Sequence, residues 1–168
     1  MDSDSKIALW HQFGASLDMF ENAVQTCPEA LWGDRSRTPE IWYMAYHTLF
    51  FLDYYLSRSP EGFAPPSPFT LGELDPAGVL PDRVYTQPEL LTYLQHGREK
   101  CRLRIRDLSD AEAHRRAGFG AFAGSFLELL LYNMRHVQHH TAQMNLLLRQ
   151  EVDDAPGWVG RTKRTLDG

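Results

Sequence analysis

The stretch Leu127–Arg149, LELLLYNMRHVQHHTAQMNLLLR, decides the fold of this 168-residue chain. It has no Pro or Gly and is rich in Leu, so it predicts a helix of about 35 Å, long enough to cross a small domain. His136 and His140 stand four residues apart and therefore project from one face, one turn from each other. Asn133 and Gln143 fall on the same side of this helix. Because a buried polar stripe is costly unless its groups find partners, the stripe indicates function.

The composition is typical of a globular protein, with 43% hydrophobic and 23% charged residues. A formal net charge of -5 argues against a broad nucleic-acid-binding surface, which requires clustered positive charge. Cys27 and Cys101 have no metal or redox spacing and are expected to be ordinary thiols in a reducing compartment. The N-terminus lacks the features of a secretory signal, and no apolar run reaches the roughly 20 residues that span a membrane. We therefore expect a soluble cytoplasmic protein with no nucleic-acid or membrane partner.

Three further segments carry helical patterns. Apolar residues at steps of three and four predict a first helix over about Ser5–Thr26. A Thr-Pro-Glu sequence predicts the start of a second helix over Thr38–Ser57. A capping box between Thr86 and Glu89 predicts the start of a third helix, which ends near Asp107. Together with the histidine helix, they make four long helices.

The connection between the second and third helices, residues 58–85, holds six prolines and several glycines, which forbid a long regular element. A connection of this length has a topological or a functional reason. It returns the chain along the bundle if the two helices run parallel, and a lid over a site is a compatible alternative. Four helices and no convincing strand predict an all-α four-helix bundle over residues 1–150, with residues 151–168 as a tail packed on or near it.

His47 lies in the middle of the second helix, with Tyr43 and Tyr54 on the same side. Two histidines at i and i+4 can chelate one divalent metal ion, and an inward-pointing histidine from a facing helix could complete a triad. Three neutral imidazoles suit zinc, nickel, iron or cobalt and leave coordination positions open. His139 is rotated about 60° the other way from His136, so we expect it at the edge of the site or in solvent.

The alternative for these histidines is a core position with a hydrogen bond to a neighbour, because a lone HxxxH pattern is a weak signal. Missing motifs narrow the choice. HExxH does not occur, which excludes a zinc-protease helix. The Glu-x-x-His pairs of ferritin-like bundles are also missing, which favours one metal ion over two.

The sequence RHVQHHTAQMNLLLR, residues 135–149, resembles the last-helix signature of the DinB/YfiT-like metal-binding bundles, H-x-x-H-H-x-x-Q followed by Leu-rich turns. AYHTLFFLDYYL, residues 45–56, is similar to the second-helix motif of that family. The resemblance covers most of the chain. It implies an up-down-down-up four-helix bundle with a long crossover between helices two and three, often dimeric. By motif, the ligands of one metal ion are His47, His136 and His140.

The same resemblance gives Gln143 a supporting or packing role. A frequent Arg-Gly before this glutamine in the family is Thr141-Ala142 here, which leaves the ligand positions intact.

Two classes of function follow from the resemblance. The wider superfamily includes thiol-dependent transferases and isomerases that use low-molecular-weight thiols such as mycothiol or bacillithiol, and a metal ion with open positions could lower the pKa of such a thiol. The substrate would enter over a mouth lined by Tyr and Trp side chains, and the chain shows no clear general base. The alternative is a metal-binding stress-response module without turnover. A purely structural bundle with hydrogen-bonded histidines is a third hypothesis.

Overall fold

The computed structural model describes residues 1–168 and contains six α-helices and one antiparallel hairpin. The elements are α1 Ser3–Thr26, α2 Glu29–Trp32, α3 Ile41–Tyr55, α4 Gln87–Arg106, α5 Asp110–His114, β1 Arg116–Phe119, β2 Phe122–Ser125 and α6 Phe126–Val152. A single 3₁₀ turn, Leu71–Leu74, lies between α3 and α4. The predicted all-α fold class is confirmed. No helix is long and apolar enough to cross a membrane.

The long helices α1, α3, α4 and α6 form a bundle in which α1 and α3 each pack against both α4 and α6. Lys6, near the start of α1, donates a hydrogen bond to the carbonyl of Arg106 at the end of α4. Gln87, at the start of α4, donates one to the carbonyl of Cys27 just past the end of α1. Since opposite ends meet, α1 and α4 are antiparallel.

Helices α3 and α4 run in the same direction. Tyr46 in the first half of α3 packs on Tyr85, which immediately precedes α4. At the other end, Arg104 Nε donates to the carbonyl of Leu56, which follows α3. Residues 56–86 therefore return the chain along the bundle between two parallel helices.

Helix α6 runs antiparallel to α3, which completes the up-down-down-up order. Tyr55 at the end of α3 packs on Tyr132 in the first part of α6, and His47 packs on His140 two turns further along α6. Ser125 caps α6 by accepting a hydrogen bond from the backbone N–H of Glu128. This crossing places the middle of α3 against the middle of α6.

The C-terminal tail lies along α1. The indole Nε1 of Trp10 donates to the carbonyl of Arg164 at 2.8 Å, and the backbone N–H of Thr162 donates to the carbonyl of His11. A Cβ at Gly14 would lie 2.5 Å from the Thr162 methyl carbon, so only glycine allows this close approach.

Two local predictions are wrong. The sequence shows no convincing strand, but residues 116–125 form the hairpin of β1 and β2. Gly120 adopts a φ of 57° in the two-residue turn between the strands, a conformation that glycine reaches without strain and that hairpins favour. The second long helix begins at Ile41 and not at Thr38, because the backbone of Glu40 is still extended (φ -69°, ψ 133°).

Candidate metal centre

Helices α3 and α6 bring His47, His136 and His140 together. The ring centroid of His47 lies 5.3 Å from that of His136 and 5.0 Å from that of His140, and the two α6 rings are 4.6 Å apart. One nitrogen from each ring lies within 4.8 Å of the other two. Residues 89 positions apart in sequence thus converge because α3 and α6 cross at this level.

The spacing of the first two nitrogens fits metal coordination. Nε2 of His47 and Nε2 of His136 are 3.3 Å apart. Two nitrogens bound tetrahedrally to one zinc ion, at their usual bond lengths, would be separated by about 3.3 Å. A hydrogen bond between the two rings also has this length. The three imidazoles therefore form a donor set that could hold a metal ion.

In His47 and His140 the ring nitrogen Nδ1 forms a hydrogen bond to a neighbouring side chain. The other ring nitrogen, Nε2, is therefore available as a metal ligand. Nδ1 of His47 lies 2.5 Å from Oε1 of Glu73, and a carboxylate only accepts, so Nδ1 is the donor and Nε2 is the nitrogen that faces His136. Nδ1 of His140 likewise donates to Oε1 of Gln143 at 2.7 Å. A carboxylate behind a histidine is the usual support of a metal ligand, since it fixes the tautomer and the ring orientation.

His136 is the most buried ring of the three. Burial, with smaller effects from His140 and His47, lowers its pKa to about 3. Burial also lowers the pKa of His140. Both rings are therefore neutral near pH 7, which is the state that a metal ion requires. Nδ1 of His136 is buried without a hydrogen-bond partner.

Glu73 is the site residue that the sequence analysis missed. Its side chain is only 4% exposed, and Oε1 also accepts a hydrogen bond from the hydroxyl of Tyr43 at 3.1 Å. Burial and the nearby carboxylate raise the pKa of Tyr43 to about 12, so the phenol remains a donor. In the sequence, only its position as an acidic residue in the connection 58–85, which could form a lid over a site, points to a role for Glu73.

Aromatic rings surround the histidines. Phe51 packs on His47 with centroids 4.8 Å apart, and both Phe51 and Tyr55 contact the ring of His136. Tyr43 and Tyr55 thus contact the rings of His47 and His136, respectively. The expected Trp side chains do not, because Trp42 is fully buried beneath Tyr43.

The other predicted site residues have different positions. Tyr54 is a core residue and not a lining residue, because it lies about 10 Å further along α3 than His47 and packs on Phe63 and Phe119. Asn133 is buried and donates to the carbonyl of Leu52, so it joins α6 to α3.

His139 and Gln143 are exposed at the rim of the site. The His139 ring lies 5.0 Å from that of His140, and nothing else in the cluster contacts it. His139 thus lies at the edge of the site.

Glu73 also forms part of the wall of a cavity of about 520 Å³, which none of the three histidines lines. The cavity lies between α3 and the 66–85 part of the long connection, with Tyr46, Tyr85 and Arg83 among its lining residues. Glu73 therefore contacts the histidine cluster and also borders a space large enough for a small molecule.

A family model described as the DinB superfamily matches residues 12–144, a span that contains all three histidines and Glu73. No curated protein gives a significant match. No solved structure does either.

Proposed function

Because the chain belongs to the DinB superfamily, we propose that it binds one divalent transition metal ion, zinc, nickel or iron, and uses it to activate a low-molecular-weight thiol. His47, His136 and His140 would be the ligands. The observation that carries this proposal is the 3.3 Å separation of Nε2 of His47 and Nε2 of His136, with Glu73 behind His47. Three protein ligands leave a coordination position for a sulfur atom.

When bound, the metal ion would act as a Lewis acid that lowers the pKa of a thiol and favours the nucleophilic thiolate. Glu73 would orient His47 by accepting a hydrogen bond from its Nδ1, so that Nε2 is the nitrogen that faces the ion. The burial that keeps His136 neutral would let it bind the ion without competition from protons over a wide pH range. The aromatic rings of Phe51 and Tyr55 would limit the access of water.

The thiol would come from outside the chain. Cys27 and Cys101 are both buried and free. Burial raises the pKa of Cys27 to about 11 and also raises the pKa of Cys101, so both stay protonated at physiological pH. A small soluble thiol is therefore the nucleophile that fits this site.

The reaction would be an S-transfer. The sulfur forms a bond to carbon of an electrophile, the leaving group departs with its electron pair, and the thiol proton passes to solvent. An isomerase would instead add the sulfur and a proton across a carbon–carbon double bond of the substrate, and elimination after rotation about the new single bond would release the thiol unchanged. Neither reaction requires a catalytic side chain beyond the ligands and the residues that hold them.

A conjugation assay tests this function. Metal-loaded protein is incubated with monochlorobimane and one thiol at a time, which is bacillithiol, mycothiol or glutathione. We expect conjugation with at least one thiol, loss of activity on chelation and in His140→Ala, and full activity in the rim control His139→Ala. Protein that binds metal but turns over no thiol would instead be the non-catalytic metal-binding stress-response module.

We also propose a cytoplasmic homodimer. Leu131, Tyr132 and Leu146 are exposed apolar side chains on α6, which a second copy could cover. The free thiols Cys27 and Cys101 suit a reducing compartment. Light scattering after size exclusion should give twice the chain mass for the wild type and a smaller mass for Leu146→Lys. A monomeric wild type at micromolar concentration would contradict the dimer.

A further inference from the structure

Two adjoining cavities lie at the end of the bundle where α3 and α4 end and α6 begins. Their volumes are about 530 and 340 Å³. Arg58, Lys100 and Arg104 line both of them. We call the two spaces together, with this shared basic wall, the basic cavity.

The positive charge of the basic cavity is incompletely neutralised. Arg58 and Arg104 form no ion pair, whereas Lys100 is paired with the buried carboxylate of Asp53. Arg104 donates from Nε to the carbonyl of Leu56, which leaves its two terminal nitrogens free. Burial, followed by the nearby Arg58, lowers the pKa of Arg104, as expected for crowded like charges.

Three acidic residues also line the two cavities, and each already has a partner. Glu61, in the wall of the smaller cavity, accepts a hydrogen bond from the Ser59 hydroxyl. Asp107 pairs with Arg106, and Glu112 pairs with Arg115. The guanidinium groups of Arg58 and Arg104 form no ion pair with any of these carboxylates, although they line the same cavities.

A third arginine at the same end has an unmet donor. Nη2 of Arg115 is buried without a hydrogen-bond partner. Its guanidinium carbon lies 5.1 Å above the ring of Phe126, which itself lines the larger cavity. The surroundings of the cavity thus contain guanidinium donors that the protein itself leaves without a partner.

We propose that the basic cavity binds a small phosphate-bearing molecule. Guanidinium groups match the oxygens of phosphate in paired hydrogen bonds, and a phosphomonoester dianion would balance the charges of Arg58 and Arg104. The volume accommodates a small organic phosphate. Phe126 precedes His136 by ten residues of α6, about 15 Å, so this site is separate from the histidine cluster.

The test is a titration of ¹⁵N-labelled, metal-loaded protein with glycerol 3-phosphate and, separately, with inorganic phosphate, followed by amide NMR shifts. Sodium chloride at matched ionic strength is the reference. We expect saturable shifts around Leu103, Ser109 and Phe126. Tighter binding of glycerol 3-phosphate would identify the ligand as an organic phosphate. Tighter binding of inorganic phosphate would identify it as the free anion.

The variants Arg104→Gln and Arg58→Gln should each weaken phosphate binding about tenfold. Arg58 makes no hydrogen bond within the chain, so Arg58→Gln tests the site even where Arg104→Gln reduces stability. Arg149→Gln is the matched control, because it removes the same charge from an exposed residue in the last turn of α6, which lines neither cavity and forms no ion pair. Metal content should stay unchanged in all three. Absence of saturable shifts, or equal weakening in Arg149→Gln, would overturn the proposal.

Discussion

Oε1 of Glu73 lies 2.5 Å from Nδ1 of His47, although 26 residues separate the two in sequence. The long connection between α3 and α4 therefore contributes directly to the histidine cluster. Its 3₁₀ turn, capped by Thr70, holds the carboxylate in a nearly fully buried position. The connection serves both the topology of the bundle and the support of one candidate ligand.

Replacing Glu73 by Ala should weaken metal binding about 10–100-fold, because His47 loses the group that fixes its tautomer and orientation. Glu73→Gln should weaken it less, since the amide oxygen can still accept from Nδ1. Competition with a fluorescent chelator measures both affinities. Asp75→Asn, a neighbouring acid that does not contact His47, should bind as the wild type. Equal affinity of Glu73→Ala and wild type would contradict the role of Glu73.

The helices and the histidine positions could be predicted because they depend on short-range patterns. The 3.6-residue period of α6 places His136 and His140 on one face, and the capping box at Thr86 marks the start of α4 correctly. The position of Glu73 could not be predicted, because residues 58–85 have no period and their path is set by tertiary contacts such as the stacking of Phe69 on Tyr93.

Tyr54 shows a second limit of sequence patterns. Helical geometry correctly places it on the His47 side of α3, but a common face does not mean a common level along the helix axis. Two turns separate the residues, so Tyr54 reaches Phe119 of the hairpin. The hairpin itself has strands of four residues each, too short for a recognisable alternation.

The metal-free protein should lose stability as the pH falls from about 6.5 towards 3. The pKa of His136 is 6.5 in the unfolded chain and about 3 in the folded one, so the unfolded state binds more protons in this interval. The contribution is fully present above pH 6.5. Urea unfolding in chelator at pH 7.5 and pH 5 measures the effect, and His136→Gln should show a smaller loss. Identical losses of stability in the wild type and in His136→Gln would contradict this prediction.

Lys100→Met should destabilise the fold by about 3 kcal/mol, because it leaves the Asp53 carboxylate without its cation. Asp53 is 1% exposed and also accepts from the Tyr93 hydroxyl at 3.1 Å. This loss of stability is at the lower end of the range for breaking a buried ion pair, because Lys100 is partly exposed. Urea unfolding measures the change. The exposed control Lys163→Met should stay within about 0.5 kcal/mol of the wild type, and a similar result for Lys100→Met would contradict the prediction.

Removal of residues 161–168 should lower stability by about 2 kcal/mol or more, since Trp10 loses both its cover and the carbonyl of Arg164. Thermal unfolding compares the truncated and full-length chains. Trp158→Ala is the control, because this side chain is 74% exposed and should contribute little. An unchanged melting temperature on truncation would show that the tail is not part of the folded unit.

Metal content tests the central claim most directly. The wild type, His47→Ala, His140→Ala and His139→Ala are dialysed to equilibrium against zinc and, separately, nickel, and the bound metal is determined by elemental analysis. We expect one ion per chain in the wild type and in His139→Ala, and almost none in His47→Ala and His140→Ala. Near-zero metal in every protein, or full occupancy after loss of His47 or His140, would contradict the three-histidine site.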